Sequence, residues 1–279
     1  LLVKKANGSW RLVCDYRKLN QVTVSDSYPL PEITDLVNQL SESRVFSVSD
    51  LFTGFHQIPC TDAAKEKLAI TTEFGQYTWN RMPMGAKNCP AVFQRLMDNA
   101  FRTIPRSRLV IYLDDILAHS ATEDENIKNF KEICQILRNN NLKLRADKTK
   151  LLMSEIDFCG FVIKNGKKMP NPKKVEAIKQ IKRPRNKNEA QSLFGLLNYH
   201  RNFIPNFATK AVEITKSYRG DFNWTPNAEL GLAKLKNEIA QTALELTIPN
   251  VNNAEFILET DASQNGYGAV LFICNNKEM

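Results

Sequence analysis

Between Leu109 and Ser120 the chain reads Leu-Val-Ile-Tyr-Leu-Asp-Asp-Ile-Leu-Ala-His-Ser, so two adjacent carboxylates, Asp114 and Asp115, interrupt an otherwise apolar stretch. The flanking runs are each of strand length and rich in Ile, Leu and Val, with no helical spacing. The simplest geometry is a tight hairpin with the Asp pair at its turn. The carboxylates then sit at one end of a sheet. Like unit charges about 4 Å apart repel by roughly 4 kcal/mol at an effective dielectric near 20. No Lys or Arg lies in the hairpin. A divalent cation is the natural remedy, because hard cations such as Mg²⁺ take carboxylate oxygens together with substrate phosphates. An ordinary exposed turn without a ligand fits these residues equally well.

A second acidic residue changes the balance. Residues 44–58 alternate Val45 and Ser47 against Phe46 and Val48, and reach Asp50 at the strand's end before a turn at Gly54. If this strand lies beside the hairpin, Asp50 and Asp114 can grip two metal ions from either side, as phosphoryl transfer requires. Tyr112-Leu113-Asp114-Asp115 with Asp50 upstream resembles the polymerase palm of reverse transcriptases, in the form found in gypsy-type LTR retrotransposons and their viral relatives. The resemblance implies an α+β right-hand polymerase: fingers, a palm on a split βαβ ferredoxin-like core, and a thumb, followed by a truncated RNase H-like α/β start. It also implies an RNA-directed, and DNA-directed, DNA polymerase using two Mg²⁺ ions, with Mn²⁺ as a substitute, held by Asp50, Asp114 and Asp115. The expected partners are an RNA or DNA template-primer duplex and dNTPs.

Composition is compatible with this but does not single it out. Of the 279 residues, 43% are hydrophobic and 24% charged, which is the balance of a globular protein with room for two or three subdomains. The net charge of +8 suits a polyanionic partner. Cysteines at 14, 60, 89, 134, 159 and 274 lack CxxC or clustered spacing, so neither a zinc site nor a disulfide framework is indicated, and a reducing setting is expected. No run approaches 18 apolar residues and no signal-peptide layout is present. The chain lacks an initiator Met and reads as an excerpt of a longer polyprotein carrying protease, the rest of RNase H and integrase. Its expected setting is cytoplasmic, within virus-like particles, with no membrane partner.

In order along the chain, residues 1–20 read as a hairpin turning at Ala6-Asn7-Gly8-Ser9. The resemblance assigns Lys4 and Arg11 there to the nucleotide triphosphate. It places Phe55 under the nucleotide sugar, where it excludes a ribose 2′-hydroxyl; sequence alone makes Phe55 a core residue. His56 reads as scaffold. Arg81 to Met97 sets a loop with Gly85 before a helix, with Pro90 in its first turn and Val92, Phe93, Leu96, Met97 and Ala100 on its apolar face. This matches the family segment that contacts nucleotide and template, which assigns Gly85 to the former and Pro90 and Phe93 to the latter. Ser120 or Thr122 can cap the helix after the Asp pair, whose buried face is expected to include Ile127, Phe130, Ile133, Cys134 and Leu137. Ile156 to Val162 resembles the primer grip, with Phe158, Gly160 and Phe161 as primer contacts.

Fingers and palm are thus expected over 1–165, the thumb over 166–220, a connection over 221–253, and the start of an RNase H-like domain over 254–279. Asp261 would be that domain's first metal-binding carboxylate. The other acidic residues such a site needs are not in the chain, so no nuclease activity is expected of it. Two rival readings are a catalytically idle nucleic-acid-binding relic of a retroelement and an RNA-copying RNA polymerase. Three clustered carboxylates argue against the first, and bulky Phe55 with the RNase H-like end against the second.

Overall fold

The computed structural model of this chain describes residues 2–4, 8, 10–241, 245–250, 254–263 and 266–275. It divides into two units, Leu1–Ser154 with Asn250–Met279, and Glu155–Pro249.

The first unit begins with a hairpin of β1 (Leu2–Lys4) and β2 (Trp10–Leu12). Two short helices follow, α1 (Arg17–Val22) and α2 (Ile33–Asn38). The alternating run is β3 (Val45–Asp50). After α3 (Asp62–Lys67) comes a small exposed hairpin, β4 (Ile70–Thr72) and β5 (Gly75–Tyr77). Next is α4 (Cys89–Phe101), which has Pro90 in its first turn, where a fixed φ and a missing N–H are tolerated. The hairpin around the Asp pair is β6 (Leu109–Tyr112) and β7 (Asp115–Ser120). Then α5 (Glu123–Asn139) is capped by Thr122, whose Oγ1 accepts from Glu125 N at 3.4 Å. Ser120, the other candidate cap, instead donates to Thr122 O.

With β8 (Lys150–Met153) these strands make a sheet in the order β6-β7-β3-β8, every neighbouring pair antiparallel. Strand, helix, hairpin, helix and strand in that order form the split βαβ core. On one face Leu109, Ile116 and Ala118 pack with Phe93, Met97 and Phe101 of α4 and with Ile133 and Leu137 of α5. The buried stripe of α5 departs from expectation, since Ile127 is exposed while Asn126 and Asn129 are buried. The reason is polar. Asn126 donates to Val45 O at 3.0 Å and accepts from Ser47 Oγ at 2.5 Å, so an internally satisfied amide ties α5 to β3. Val92 is likewise on the outer side of α4.

In the second unit β9 (Glu155–Phe158), β10 (Phe161–Lys164) and β11 (Lys167–Pro170) form an antiparallel meander. The helices α6 (Pro172–Lys179), α7 (Lys187–Tyr199), α8 (Phe207–Ser217) and α9 (Pro226–Gln241) bury a common core that includes Ile178, Leu193, Leu197, Ile214 and Leu235. The strand β12 (Leu246–Thr247) then pairs with β11. The boundaries expected at 165, 220 and 253 therefore differ from those of this unit, which runs from Glu155 to Pro249. Leu232, Leu235 and Ile239 form a helical stripe buried among the other helices, so the expected connection is part of the same body. Finally β13 (Ala254–Ser263) and β14 (Gly266–Asn275) pair as a long ribbon, with Phe256, Ile257, Leu258, Val270, Leu271 and Phe272 exposed. Among the described residues no helix is long and apolar enough to cross a membrane.

Two helical glycines make opposite stability predictions. A Cβ on Gly231 of α9 would sit 2.9 Å from Lys210 O of α8, whereas one on Gly195 of α7 meets nothing within 4 Å. Gly195→Ala should raise the melting temperature, through roughly 1 kcal/mol of helix propensity. Gly231→Ala should lower it despite the same gain, because forcing packed helices apart costs about 1–3 kcal/mol. Thermal denaturation followed by circular dichroism checks both, and stabilisation by Gly231→Ala would contradict the packing described.

Candidate active site

The site is built by strand register. β3 and β7 pair so that Asp50, the last residue of one, lies opposite Asp115, the first residue of the other. Tyr112 pairs with Asp115 across the hairpin, leaving Leu113 and Asp114 as the two-residue turn. Leu113 has φ +55°, a left-handed conformation that a bulky residue rarely takes. Leu51 N donates to Asp114 O at 3.1 Å, which fastens this turn to the end of β3. Gly54 closes over it: a Cβ there would lie 3.4 Å from both Cβ and Oδ2 of Asp114. Asp50 and Asp114 line one cavity of about 330 Å³, together with Trp10, Trp79, Met84, Arg145 and Lys148. The three carboxylates named from sequence are thus together at one edge of the sheet.

Their mutual repulsion is visible in Asp115. Burial, then the charges of Asp114 and Asp50 and a hydrogen bond to Asp50, push its carboxyl up to about 6, with Lys148 working in the opposite direction. Lys148 donates to Asp50 Oδ2 at 2.7 Å. Arg145 supplies its backbone N–H to Asp50 O at 2.9 Å, and its guanidinium pairs with Asp147. Both cations come from the segment between α5 and β8. Sequence reasoning found no cation in the hairpin and missed them, since only the pairing of β8 with β3 brings that loop beside Asp50.

The site suits a hard divalent cation on chemical grounds. Its donors are carboxylate oxygens, and one of them, on Asp115, holds its proton more tightly than usual because burial and then the charges of Asp114 and Asp50 disfavour the ionised form. Among the described residues no group of three or more acidic, His or Cys side chains is placed to hold a metal ion; Asp50 and Asp114, which line the cavity, are the two that would hold one.

The remaining sequence candidates fall at varied distances from this centre. Lys4 is exposed at the end of β1, opposite Trp10. Arg11 pairs with Val3 through its backbone, and its side chain lies outside the described residues. Phe55 packs edge-on against Phe93, with ring centroids 5.0 Å apart, at the margin of the core. Gly85 has φ +98° and accepts from Asn20 Nδ2 at 2.9 Å, and its neighbour Met84 lines the cavity. Pro90 is in the first turn of α4, and Phe93 is fully buried. In the second unit Phe158 and Phe161 are buried, and Phe161 stacks on Tyr199 at 5.2 Å. Gly160, φ +84°, is in the turn between them, where Tyr199 donates its hydroxyl to Cys159 O. A buried ring has no face to offer a primer, so the side chains of Phe93, Phe158 and Phe161 act here in packing. Asp261 is exposed on β13, opposite Gly268. Trp10 and Trp79 of the cavity wall were not singled out from sequence, where each reads as an ordinary strand aromatic.

A split βαβ sheet with carboxylates gathered at the ends of adjacent strands is the palm of a right-hand polymerase. The chain belongs to the reverse transcriptase (RNA-dependent DNA polymerase) family, whose pattern its residues 3–163 match. Over 264 residues it is 35% identical to the retrovirus-related Pol polyprotein from transposon 412 of Drosophila melanogaster, covering 94% of this chain and 21% of that protein. The Pol polyprotein from transposon gypsy of the same organism is 30% identical over 280 residues, 95% of this chain and 27% of that protein. This chain therefore spans about a quarter of the length of these relatives. Among solved structures, the foamy viral protease-reverse transcriptase in complex with double-stranded DNA superimposes with a TM-score of 0.82 at 26% identity, covering 98% of this chain and 57% of that one. The same viral protein in complex with an RNA/DNA hybrid gives a TM-score of 0.79 at 26% identity, covering 99% and 39%.

The raised carboxyl of Asp115 carries a stability consequence. A folded-state value above the ordinary 3.8 means that the native state holds this proton more tightly than the unfolded chain does. Its contribution is complete below pH 3.8 and is lost as pH rises through about 6. In divalent-free buffer at pH 7.5, Asp115→Asn should therefore melt about 2–4 °C higher than the parent, as a gain of ~1 kcal/mol gives at this size. The difference should shrink as pH falls from about 6 and vanish below about 4. Equal or lower Tm at pH 7.5 would show that the three carboxylates do not strain the fold.

Proposed function

We propose that this chain is an RNA-directed DNA polymerase, also able to copy DNA, that adds deoxynucleotides to a primer 3′ end. The observation that carries the reading is the convergence of Asp50 and Asp114 on one cavity in a chain of the reverse transcriptase family. In this reading Asp50 and Asp114 hold two Mg²⁺ ions, for which Mn²⁺ can substitute, and Asp115 supports Asp50 from the facing strand. Bound divalent ions would activate the primer hydroxyl and neutralise charge on the triphosphate and departing pyrophosphate.

The chain's own groups prepare the site. Lys148 and Arg145 give the cavity a positive flank suited to phosphate oxygens. Lys4 and Arg11 on the first hairpin are proposed to bind the same triphosphate from above. Phe55, its ring braced edge-on by Phe93, is proposed to stand under the sugar and exclude a 2′-hydroxyl, with Gly85 allowing close approach of the backbone. The Pro90 turn is proposed to contact the template, and the Gly160 turn the primer. A foamy viral relative held on double-stranded DNA and on an RNA/DNA hybrid supports such a duplex as partner. Asp261 is proposed as the first carboxylate of an RNase H-like site. As part of a Pol polyprotein it would work beside protease, further RNase H sequence and integrase, in cytoplasmic virus-like particles.

Primer extension on RNA and DNA templates, with and without Mg²⁺, tests the reading. Asp114→Asn should reduce extension by about 10³-fold or more, at least the cost of losing a group that stabilises a transition state. Affinity for the duplex should be retained. Extension at the parental rate by this variant, or undiminished extension in chelator, would overturn the assignment.

A further inference from the structure

Gln94 is the polar exception on the buried face of α4, fully inaccessible between Phe93 and Met97. Both ends of its amide are engaged. The oxygen accepts from Leu113 N at 3.0 Å, and the nitrogen donates to Asp98 Oδ1 at 3.0 Å. The amide can point only one way, since a backbone N–H needs an acceptor and a carboxylate needs a donor. From Asp98 the chain of contacts continues outward. Its Oδ2 accepts from the Tyr28 hydroxyl at 2.6 Å, and Arg95 lies over the Tyr28 ring at 4.7 Å while donating to both oxygens of Asp26 at 2.8 Å.

The inner end of this network is informative because Leu113 precedes Asp114 and is the turn residue with φ +55°. A leucine keeps that conformation only where its surroundings hold it there. Releasing Leu113 would let the turn relax towards negative φ and swing the peptide that carries Asp114. We propose that Gln94 is a positioning residue for polymerisation: its bond to Leu113 N holds the turn and so fixes the direction of the Asp114 carboxylate, with Asp98 and Tyr28 as its anchor. The proposal rests on the polymerase reading above. It adds a residue that touches neither nucleotide nor duplex.

The test uses the full chain and three variants. Gln94→Met keeps length and volume but removes both hydrogen bonds, and Tyr28→Phe removes only the outer anchor. Asp114→Asn serves as the reference for the site itself. Gln94→Met should lower kcat by about 10–100-fold, the scale of a misplaced reacting group, with nucleotide KM and duplex affinity within about 2-fold of the parent. Hydrogen–deuterium exchange should accelerate in the peptide spanning 109–117 while the rest of the chain keeps its protection. Tyr28→Phe should show the same signature, smaller, at roughly 3-fold in kcat. If Gln94→Met proves unfolded, Tyr28→Phe decides: faster exchange at 109–117 with a kcat loss supports the proposal, and parental behaviour overturns it. A folded Gln94→Met with parental kcat, a loss confined to KM, or unchanged exchange at the turn likewise overturns it. Parental extension by Asp114→Asn would instead reject the polymerase reading, so the two failures are distinguishable.

Discussion

The pairing of β3 with β7 is the constraint from which the site follows. An antiparallel register admits no half steps: moving either strand by one residue would turn every side chain to the opposite face. Asp50 stands opposite Asp115 because Phe46, Ser47, Ser49, Ile116, Leu117 and Ala118 are all buried and leave the strands one alignment. The apolar middle of the sheet thus forces like charges together at its rim. The fold tolerates this by bringing Lys148 to Asp50 and by leaving Asp115 a carboxyl that holds its proton up to about pH 6.

Around this rim the surrounding elements act as clamps. Leu51 N holds the Asp114 carbonyl from one side, and Gln94 holds the Leu113 amide from another. Gly54 closes against Asp114 without a side chain. Held in this way, Asp114 lines the cavity beside Asp50. Such preorganisation is what electrostatic catalysis requires, because groups already aimed do not have to reorient as charge develops.

Much of this was legible from residue order. The hairpin at Asp114-Asp115, the strand ending at Asp50 and the helix with Pro90 in its first turn each carry a local signal: apolar runs of strand length, period-two alternation, or a proline where a first turn accepts one. The less legible parts depend on contacts distant in sequence. Lys148 is one of many lysines until β8 is laid beside β3, and Gln94 carries no signal of its own until the turn at Leu113 is seen to need an acceptor. Ile127 and Asn126 exchanged their expected places because a buried amide with two partners outcompeted an isoleucine for that side of α5. Residues 221–253 read as a connection only through the family resemblance, whereas the apolar stripe of Leu232, Leu235 and Ile239 closes the second core.

The ribbon of β13 and β14 has a practical side. Its apolar residues emerge on both faces, Phe256 and Leu258 on one and Ile257 with Phe272 on the other, and two paired strands have open backbone along each margin. Such a ribbon is marginal alone in water and offers neighbouring molecules an adhesive strip to which further strands can add. The colloidal behaviour of a preparation of this chain is therefore expected to follow this exposed ribbon, however well the rest of the chain is packed.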